Sequence, residues 1–227
     1  MTVAAPPLRE RFIAPAAWLP AERLAACFAG ALPAEQALDL AAQPRFQARM
    51  GRLLAAHFQL SHLEQTAECA GEDDLRVLLL PADALARLPR WCGAVLHGAT
   101  LAREIRRDQV NQLQARLGRE LFTLAVAHRA VGRATHLLLD ADALVEVIDR
   151  DGQACVASWL QSLDPALQGW ARLVLHAPAR ASTDAQAGQI VRLVAWALAA
   201  ERSTVDASSA EALPAGAPAA DTDRSQP

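Results

Sequence analysis

The stretch that decides the fold is Arg90–Gly118, which reads RWCGAVLHGATLAREIRRDQVNQLQARLG. From Gly98 to Leu117 it contains no proline and carries apolar residues at helical spacing, which predicts one long amphipathic helix. The apolar stripe of that helix consists of Leu101, Ile105, Leu113 and Leu117. A turn of small residues around Gly93 is expected just before it.

The rest of the chain also favours helices. Prolines that suit helix starts occur at Pro20, Pro33, Pro44 and Pro165. The RVLLL segment (76–80) is ambiguous between strand and helix, and we favour helix because no other segment offers a convincing strand partner. Tyrosine is absent and other aromatics are few, which disfavours a β-sandwich or barrel. The sequence therefore predicts an all-α protein with a single compact multi-helix domain.

The domain limits are set by composition. Residues 1–17 hold three prolines and are expected to form an irregular leader. Residues 18–202 form the helical domain, in which Asp149–Gly152 signals a turn between two helices. Residues 203–227 are rich in Ala, Ser, Pro and Asp without apolar periodicity, so we expect a disordered tail.

An internal echo links two parts of the domain. Leu78–Leu85 reads LLLPADAL and Leu137–Leu144 reads LLLDADAL, at an offset of 59 residues. At the same offset Gly93 corresponds to Gly152. Two related helical hairpins would give this pattern, and so would coincidence in a chain rich in Ala and Leu.

Motifs of catalysis are missing from the sequence. It has no phosphate-binding G-x-x-x-x-G-K-[ST] loop, no G-x-S-x-G, no H-E-x-x-H and no lysine. His57 and His62 are five residues apart, which does not place them on one helix face as metal ligands. Cys92 and His97 have no visible third group to orient them. We therefore predict no catalytic, cofactor-binding or metal-binding residue, and a protein that is not an enzyme.

Charge and cysteine usage indicate the compartment. The net charge of −3 arises in the tail, where four carboxylates face one arginine, so the body is neutral and a nucleic-acid partner is disfavoured. The four cysteines are far apart, as expected of free thiols in a reducing cytoplasm. No signal peptide and no run long enough to cross a bilayer is present. These features predict a soluble cytoplasmic protein.

Three arginines and one tryptophan are the candidate binding residues. Arg103, Arg106 and Arg107 would share one face of the long helix, either as a solvated face with intrahelical ion pairs or as a hot spot for a partner. The tryptophans of the helical region are expected mostly in the core, and Trp91 is expected to be the most exposed of them.

The same segment resembles a known family. In the SctK family (also YscK and PscK) of type III secretion sorting-platform proteins, a Trp or Leu before a Gly-containing turn leads into an Arg-rich helix that closes on Leu-Gly. The matching residues here are Trp91, Gly93, Leu101, Arg103, Ile105, Arg106, Val110, Leu113, Leu117 and Gly118. A looser N-terminal match involves Phe12, Pro15, Trp18, Leu19, Pro20 and Leu24, and the resemblance spans roughly residues 8 to 200.

The resemblance implies a function. A protein of this family would be a non-enzymatic adaptor at the cytoplasmic face of the inner membrane, held there through partners. It would join the ring protein SctD to the pod protein SctQ, and through SctQ the stator SctL and the ATPase SctN. Trp91, Arg103, Arg106 and Arg107 are the expected partner-binding residues. Two alternatives remain: a small helical enzyme whose site is assembled from distant residues, and a helical regulatory or nucleic-acid-binding module.

Overall fold

The computed structural model describes residues 6–132, 140–175 and 185–211, with side chains up to residue 202. Within these ranges the regular elements are α-helices and one 3₁₀ turn, so the predicted all-α fold is confirmed. The ambiguous RVLLL segment contributes to a helix, as expected.

The helices before the central pair are short, apart from the fourth. They are α1 (Leu8–Phe12), α2 (Ala21–Ala26), α3 (Ala34–Ala42), α4 (Pro44–Phe58), α5 (Leu63–Cys69) and α6 (Glu72–Leu78), with the 3₁₀ turn Pro15–Ala17 after α1. The second half contains α7 (Ala82–Leu96), α8 (Gly98–Arg103), α9 (Arg107–Leu117), α10 (Arg119–Ala127), α11 (Ala141–Ser162), α12 (Pro165–Val174) and α13 (Ala187–Glu211).

Two aspartates show how the sequence fixes helix starts. The Asp140 carboxylate accepts a hydrogen bond from the Ala143 N–H at 2.8 Å, and Asp164 accepts one from Ala166 at 2.9 Å. Each satisfies a backbone donor that the first helical turn leaves without a partner. Pro165 then occupies the first position of α12, where its missing N–H costs nothing.

The core is built around the crossing of α7 and α11, which make the most extensive contact in the domain. The expected turns at Gly93 and at Asp149–Gly152 are wrong, because both glycines lie inside helices. A Cβ atom on Gly93 would overlap the Ile148 carbonyl oxygen, and one on Gly152 would overlap that of Pro89. The glycines therefore serve close helix packing rather than chain reversal.

At the crossing, equivalent positions of α7 and α11 are 59 residues apart, which is the offset of the repeated sequence. Helices α7 and α11 begin 59 residues apart, and so do the two carbonyls, of Pro89 and Ile148, that the glycines approach. Arg90 on α7 and Asp149 on α11 have the same separation and pair with each other at 2.6 Å. Residues 137–139 of the echo lie outside the described residues, and duplication stays a prediction.

Both predicted ends of the domain need correction. The leader is not irregular, because α1 and the 3₁₀ turn bring Phe12 fully into the core. Its ring stacks on Trp18 with centroids 4.9 Å apart, and the Trp18 indole N–H donates to the Phe12 carbonyl at 2.8 Å. At the other end, α13 continues to Glu211, past the expected boundary at 202. Residues 1–5 and 212–227 lie outside the described residues.

No helix in the described part of the chain is long and apolar enough to cross a bilayer. Helix α13 is the longest of the described helices, and the charged residues Arg192 and Glu201 bound its apolar stretch. The N-terminal helices α1 to α5 pack on one another, and α1 contacts α6, which also contacts α13. Helix α12 reaches this part of the chain as well, since the Trp170 indole N–H donates to the Ser61 carbonyl at 3.0 Å. Helices α8, α9 and α10 lie against α7 and α11.

Candidate functional site

The predicted long helix from Gly98 to Leu117 is wrong, because it is interrupted. Helix α8 ends at Arg103 and α9 begins at Arg107, and the backbone between them is extended, with ψ angles of 115° at Glu104 and 114° at Arg106. Arg103, Arg106 and Arg107 therefore do not share a helix face. They lie instead in and beside a short connection, which we call the 103–107 loop.

The break follows from where the apolar residues can be buried. Leu101 in α8 and Leu113 and Leu117 in α9 are all buried. In one straight helix Ile105 would continue their stripe, yet 90% of its surface is exposed. Gln109 interrupts the series of four-residue steps between Ile105 and Leu113, and that interruption is the signal that sequence reasoning missed.

An internal clamp holds the loop in shape. The Glu104 carboxylate accepts hydrogen bonds from the Arg106 backbone N–H at 2.9 Å and from the Arg106 guanidinium at 2.9 and 2.6 Å. These bonds lower the pKa of Glu104 from 4.5 to about 2 and raise the pKa of Arg106. Closing Glu104 onto Arg106 leaves Ile105 as the outward tip between them.

The loop combines an apolar tip with basic flanks. Arg103 and Arg107 are exposed on either side of the clamp. Burying an isoleucine side chain on a partner contributes about 1.5–3 kcal/mol, and arginine is enriched among the residues that carry binding energy at interfaces. The loop therefore presents one apolar side chain between two exposed cations.

Trp91 lies elsewhere and is not exposed as expected. It is 8% exposed in α7, with the Arg87 guanidinium 5.5 Å from the centre of its ring. It lines a groove of about 720 Å³ that also involves Leu117 and Arg119. Helix α9, roughly 16 Å long, separates this end from the 103–107 loop. The structure therefore does not bring Trp91 together with the three predicted arginines.

A second groove, of about 610 Å³, adjoins the first at Pro89 and Gln153. Its lining is mainly apolar and includes Trp18, Leu19, Leu80, Leu85, Val156 and Leu175. Sequence reasoning did not find this groove, since its walls come from helices far apart in the chain. Gln153 is the polar side chain in its lining.

Two pairs of side chains connect the end of α7 to α11, and neither pair lines a groove. His97 is buried and its Nε2 lies 2.9 Å from Asp151 Oδ2. Cys92 and Cys155 are also buried, and burial together with the neighbouring Cys155 thiol raises the pKa of Cys92 well above 9. None of these residues lines either groove. Across the described part of the chain, no three His, Cys, Asp or Glu side chains converge in a metal-binding arrangement.

The tryptophans divide in a way that the sequence did not predict. Trp159 and Trp170 are fully buried, as expected, but 52% of Trp196 on α13 is exposed. The Arg76 guanidinium lies 3.6 Å from the centre of the Trp196 ring. The structure thus adds a second exposed surface, on α6 and α13, that the candidate residues did not include.

The fold and these surfaces define a helical protein with an exposed apolar loop tip and an exposed aromatic patch. The chain is similar to nodulation protein NolU of Rhizobium fredii, with 29% identity over 76 residues that cover 34% of this chain and 35% of NolU. NolU of Sinorhizobium fredii strain NBRC 101917 / NGR234 matches to the same extent. The match thus spans about a third of the length of these relatives. No family model and no solved structure matches the chain.

Proposed function

We propose that this protein is a non-enzymatic adaptor that binds another protein through the 103–107 loop. The observation that carries the proposal is Ile105, whose side chain is 90% exposed at the centre of a clamped, basic loop. The neighbours of Ile105 keep its apolar side chain exposed to water. Covering it with a partner removes that surface from water, which lowers the free energy of the complex. The clamp also lowers the entropy that the loop loses on binding, because its shape is already set.

The setting we propose is the cytoplasmic sorting platform of a type III secretion system. There the protein would link an SctD-like inner-membrane ring protein to an SctQ-like pod protein, and through it to SctL and SctN for protein export. It would lie peripherally at the inner membrane through these partners and bind no nucleic acid. The resemblance of Arg90–Gly118 to the SctK family, the all-α fold and the local similarity to a nodulation protein support this proposal.

The test measures binding of the purified full chain to purified SctQ-like protein and to the cytoplasmic domain of SctD-like protein from the same bacterium. Calorimetry or interferometry would compare the original chain with Ile105→Ala. If Ile105 is the anchor, this change weakens binding of one partner by about tenfold or more, which corresponds to about 1.4 kcal/mol or more.

A matched control is available on α4. Leu53 is 40% exposed there, so Leu53→Ala shortens another exposed apolar side chain on a different helix and should leave the affinity unchanged. Equal affinities for Ile105→Ala and the original chain would remove the loop from the interface. Absence of binding to both partners by the folded original chain would overturn the adaptor proposal.

A further inference from the structure

Helix α13 is apolar on two sides, but the described helices cover one of them. Its inward side carries fully buried residues, which are Ile190, Val191, Val194, Ala195 and Leu198. Its outward side carries Leu193, Trp196, Ala197 and Ala200 at three- and four-residue steps, and Trp196 is half-exposed. Arg192 and Glu201 interrupt the apolar residues of this helix, but an exposed tryptophan beside apolar neighbours has the character of an interface residue.

The side chains around Trp196 hold it in one orientation. The Arg76 guanidinium stacks on the indole at 3.6 Å, and the indole N–H donates to Asp73 Oδ1 at 3.2 Å. Arg76 Nε is buried and makes no hydrogen bond to any described residue, so the stacking contact and not that atom positions the arginine. A fixed aromatic ring loses little rotamer entropy on binding, which makes it an effective anchor.

The border of this surface is acidic on the α6 side. Glu72 and Asp73 are exposed in the first turn of α6, and Asp73 is the one that contacts the Trp196 indole. The next carboxylate, Asp74, is neutralised by Arg192, whose guanidinium donates to it at 2.8 and 3.0 Å. Arg76 of the same helix lies on the ring and offsets one of the charges of Glu72 and Asp73, so the α6 side presents one excess negative charge to a partner.

From these contacts we infer that the Leu193–Trp196–Ala200 side of α13 with Glu72 and Asp73, the α13 surface, binds an amphipathic helix that carries arginine or lysine beside its apolar stripe. Charge complementarity with Glu72 and Asp73 selects that occupant. A second copy of this chain would present the same excess negative charge at its own α13 surface, which opposes self-association.

The α13 surface lies apart from the 103–107 loop. Helix α6 packs on α1 and α13, and α13 packs on α7 and α11, whereas α8 and α9 pack on α7, α10 and α11. An adaptor needs two surfaces that can be occupied at once. The inference rests on the proposed function, because it gives the adaptor its second surface. The binding of a basic helix to the α13 surface can still be tested without the partner of the loop.

Tryptophan fluorescence provides the readout, because the other four tryptophans are buried and solute quenching reports on Trp196. The probe is a synthetic helical peptide of about 16 residues, roughly 24 Å long, with a leucine stripe flanked by arginines. We expect it to bind the full chain and protect Trp196 from acrylamide. A peptide with glutamate in place of each arginine should bind at least about tenfold more weakly.

Variants locate the site. Trp196→Ala should weaken peptide binding, measured by peptide anisotropy, by about tenfold or more, and Glu72→Gln with Asp73→Asn by about threefold to tenfold. Ile105→Ala should bind the peptide normally, so failure of the loop proposal and failure of this one are distinguishable. Circular dichroism would confirm that each variant is folded.

Three results would overturn the inference. Equal binding of the two peptides would show apolar adhesion without charge selection. Unchanged binding by Trp196→Ala would place the peptide elsewhere. Protection of Trp196 by increasing concentrations of the protein alone, with dimers in sedimentation, would identify a second copy as the occupant.

Discussion

Gly93 of α7 and Gly152 of α11 lie directly against each other's helix backbone. A Cβ atom on either would overlap a carbonyl oxygen of the facing helix, that of Ile148 or of Pro89. Backbone cannot move aside as a side-chain end can, so the separation of the two central helices depends on both glycines. The contacts of Arg90 with Asp149 and of His97 with Asp151, which join α7 and the residue after it to α11, depend on that separation.

We expect Gly152→Ala to lower the free energy of unfolding by about 1–3 kcal/mol or to prevent folding, because the added methyl forces α7 and α11 apart. Urea denaturation followed by circular dichroism measures the change. Gly188→Ala in α13 is the matched control, since its new Cβ atom would meet neighbours at 3.6 Å or more and alanine favours helix by about 1 kcal/mol. Equal unfolding midpoints for the two variants would contradict the packing argument.

The helical character of the chain could be predicted from the sequence because it depends on local signals. Helix-favouring composition, prolines at helix starts and the caps at Asp140 and Asp164 act within a turn of the residues concerned. The glycines were misread for the same reason. Taken locally, Gly93 and Gly152 signal turns, and their role in packing depends on a helix 59 residues away.

The candidate site shows the same limit. The sequence identified the arginines around residue 105, but it placed them on one helix face because the apolar spacing of Leu101, Ile105 and Leu113 is nearly helical. Which of these residues is exposed depends on where α9 packs, a tertiary property. Trp91 was expected to be the most exposed tryptophan of the helical region but is buried, whereas Trp196 is half-exposed. Their exposure depends on neighbours that are distant in the sequence.

The reactivity of the four cysteines should follow their burial. Cys69 is exposed, Cys27 is half-buried with a pKa raised by burial, and Cys92 and Cys155 are buried. Since the thiolate is the reactive form, a thiol reagent at mildly alkaline pH should modify Cys69 first, and Cys92 and Cys155 only after unfolding. Mass spectrometry of tryptic peptides measures the order. Modification of Cys92 in the native protein as fast as Cys69 would show that the α7–α11 core is open.

The clamp in the 103–107 loop predicts a specific titration. The pKa of Glu104 is lowered to about 2, so the stabilisation from its pairing with Arg106 is fully present above 4.5 and is lost as the pH falls through about 2. NMR of the Glu104 side-chain carbonyl should therefore show a midpoint near 2, and Arg106→Gln should move it back towards 4.5. A midpoint near 4.5 in the original chain would mean that the clamp is open in solution.

Charge reversal separates a binding role of the loop arginines from a structural one. Arg103 and Arg106 are exposed, and Arg106 pairs within its own loop, so Arg103→Glu with Arg106→Glu should leave helicity and the melting temperature nearly unchanged. The same change should weaken the partner bound through Ile105, because it reverses the charge of Arg103 at the border of the loop and opens the Glu104–Arg106 clamp. Binding would be measured as for Ile105→Ala.

Arg49 and Arg52 on α4 supply the control for this reversal. Both are exposed, so Arg49→Glu with Arg52→Glu changes the net charge equally at a distant place. If both double variants weaken binding equally, net charge and not the loop determines the affinity. If Arg103→Glu with Arg106→Glu instead lowers the melting temperature strongly, these arginines hold the connection between α8 and α9, and their role is structural.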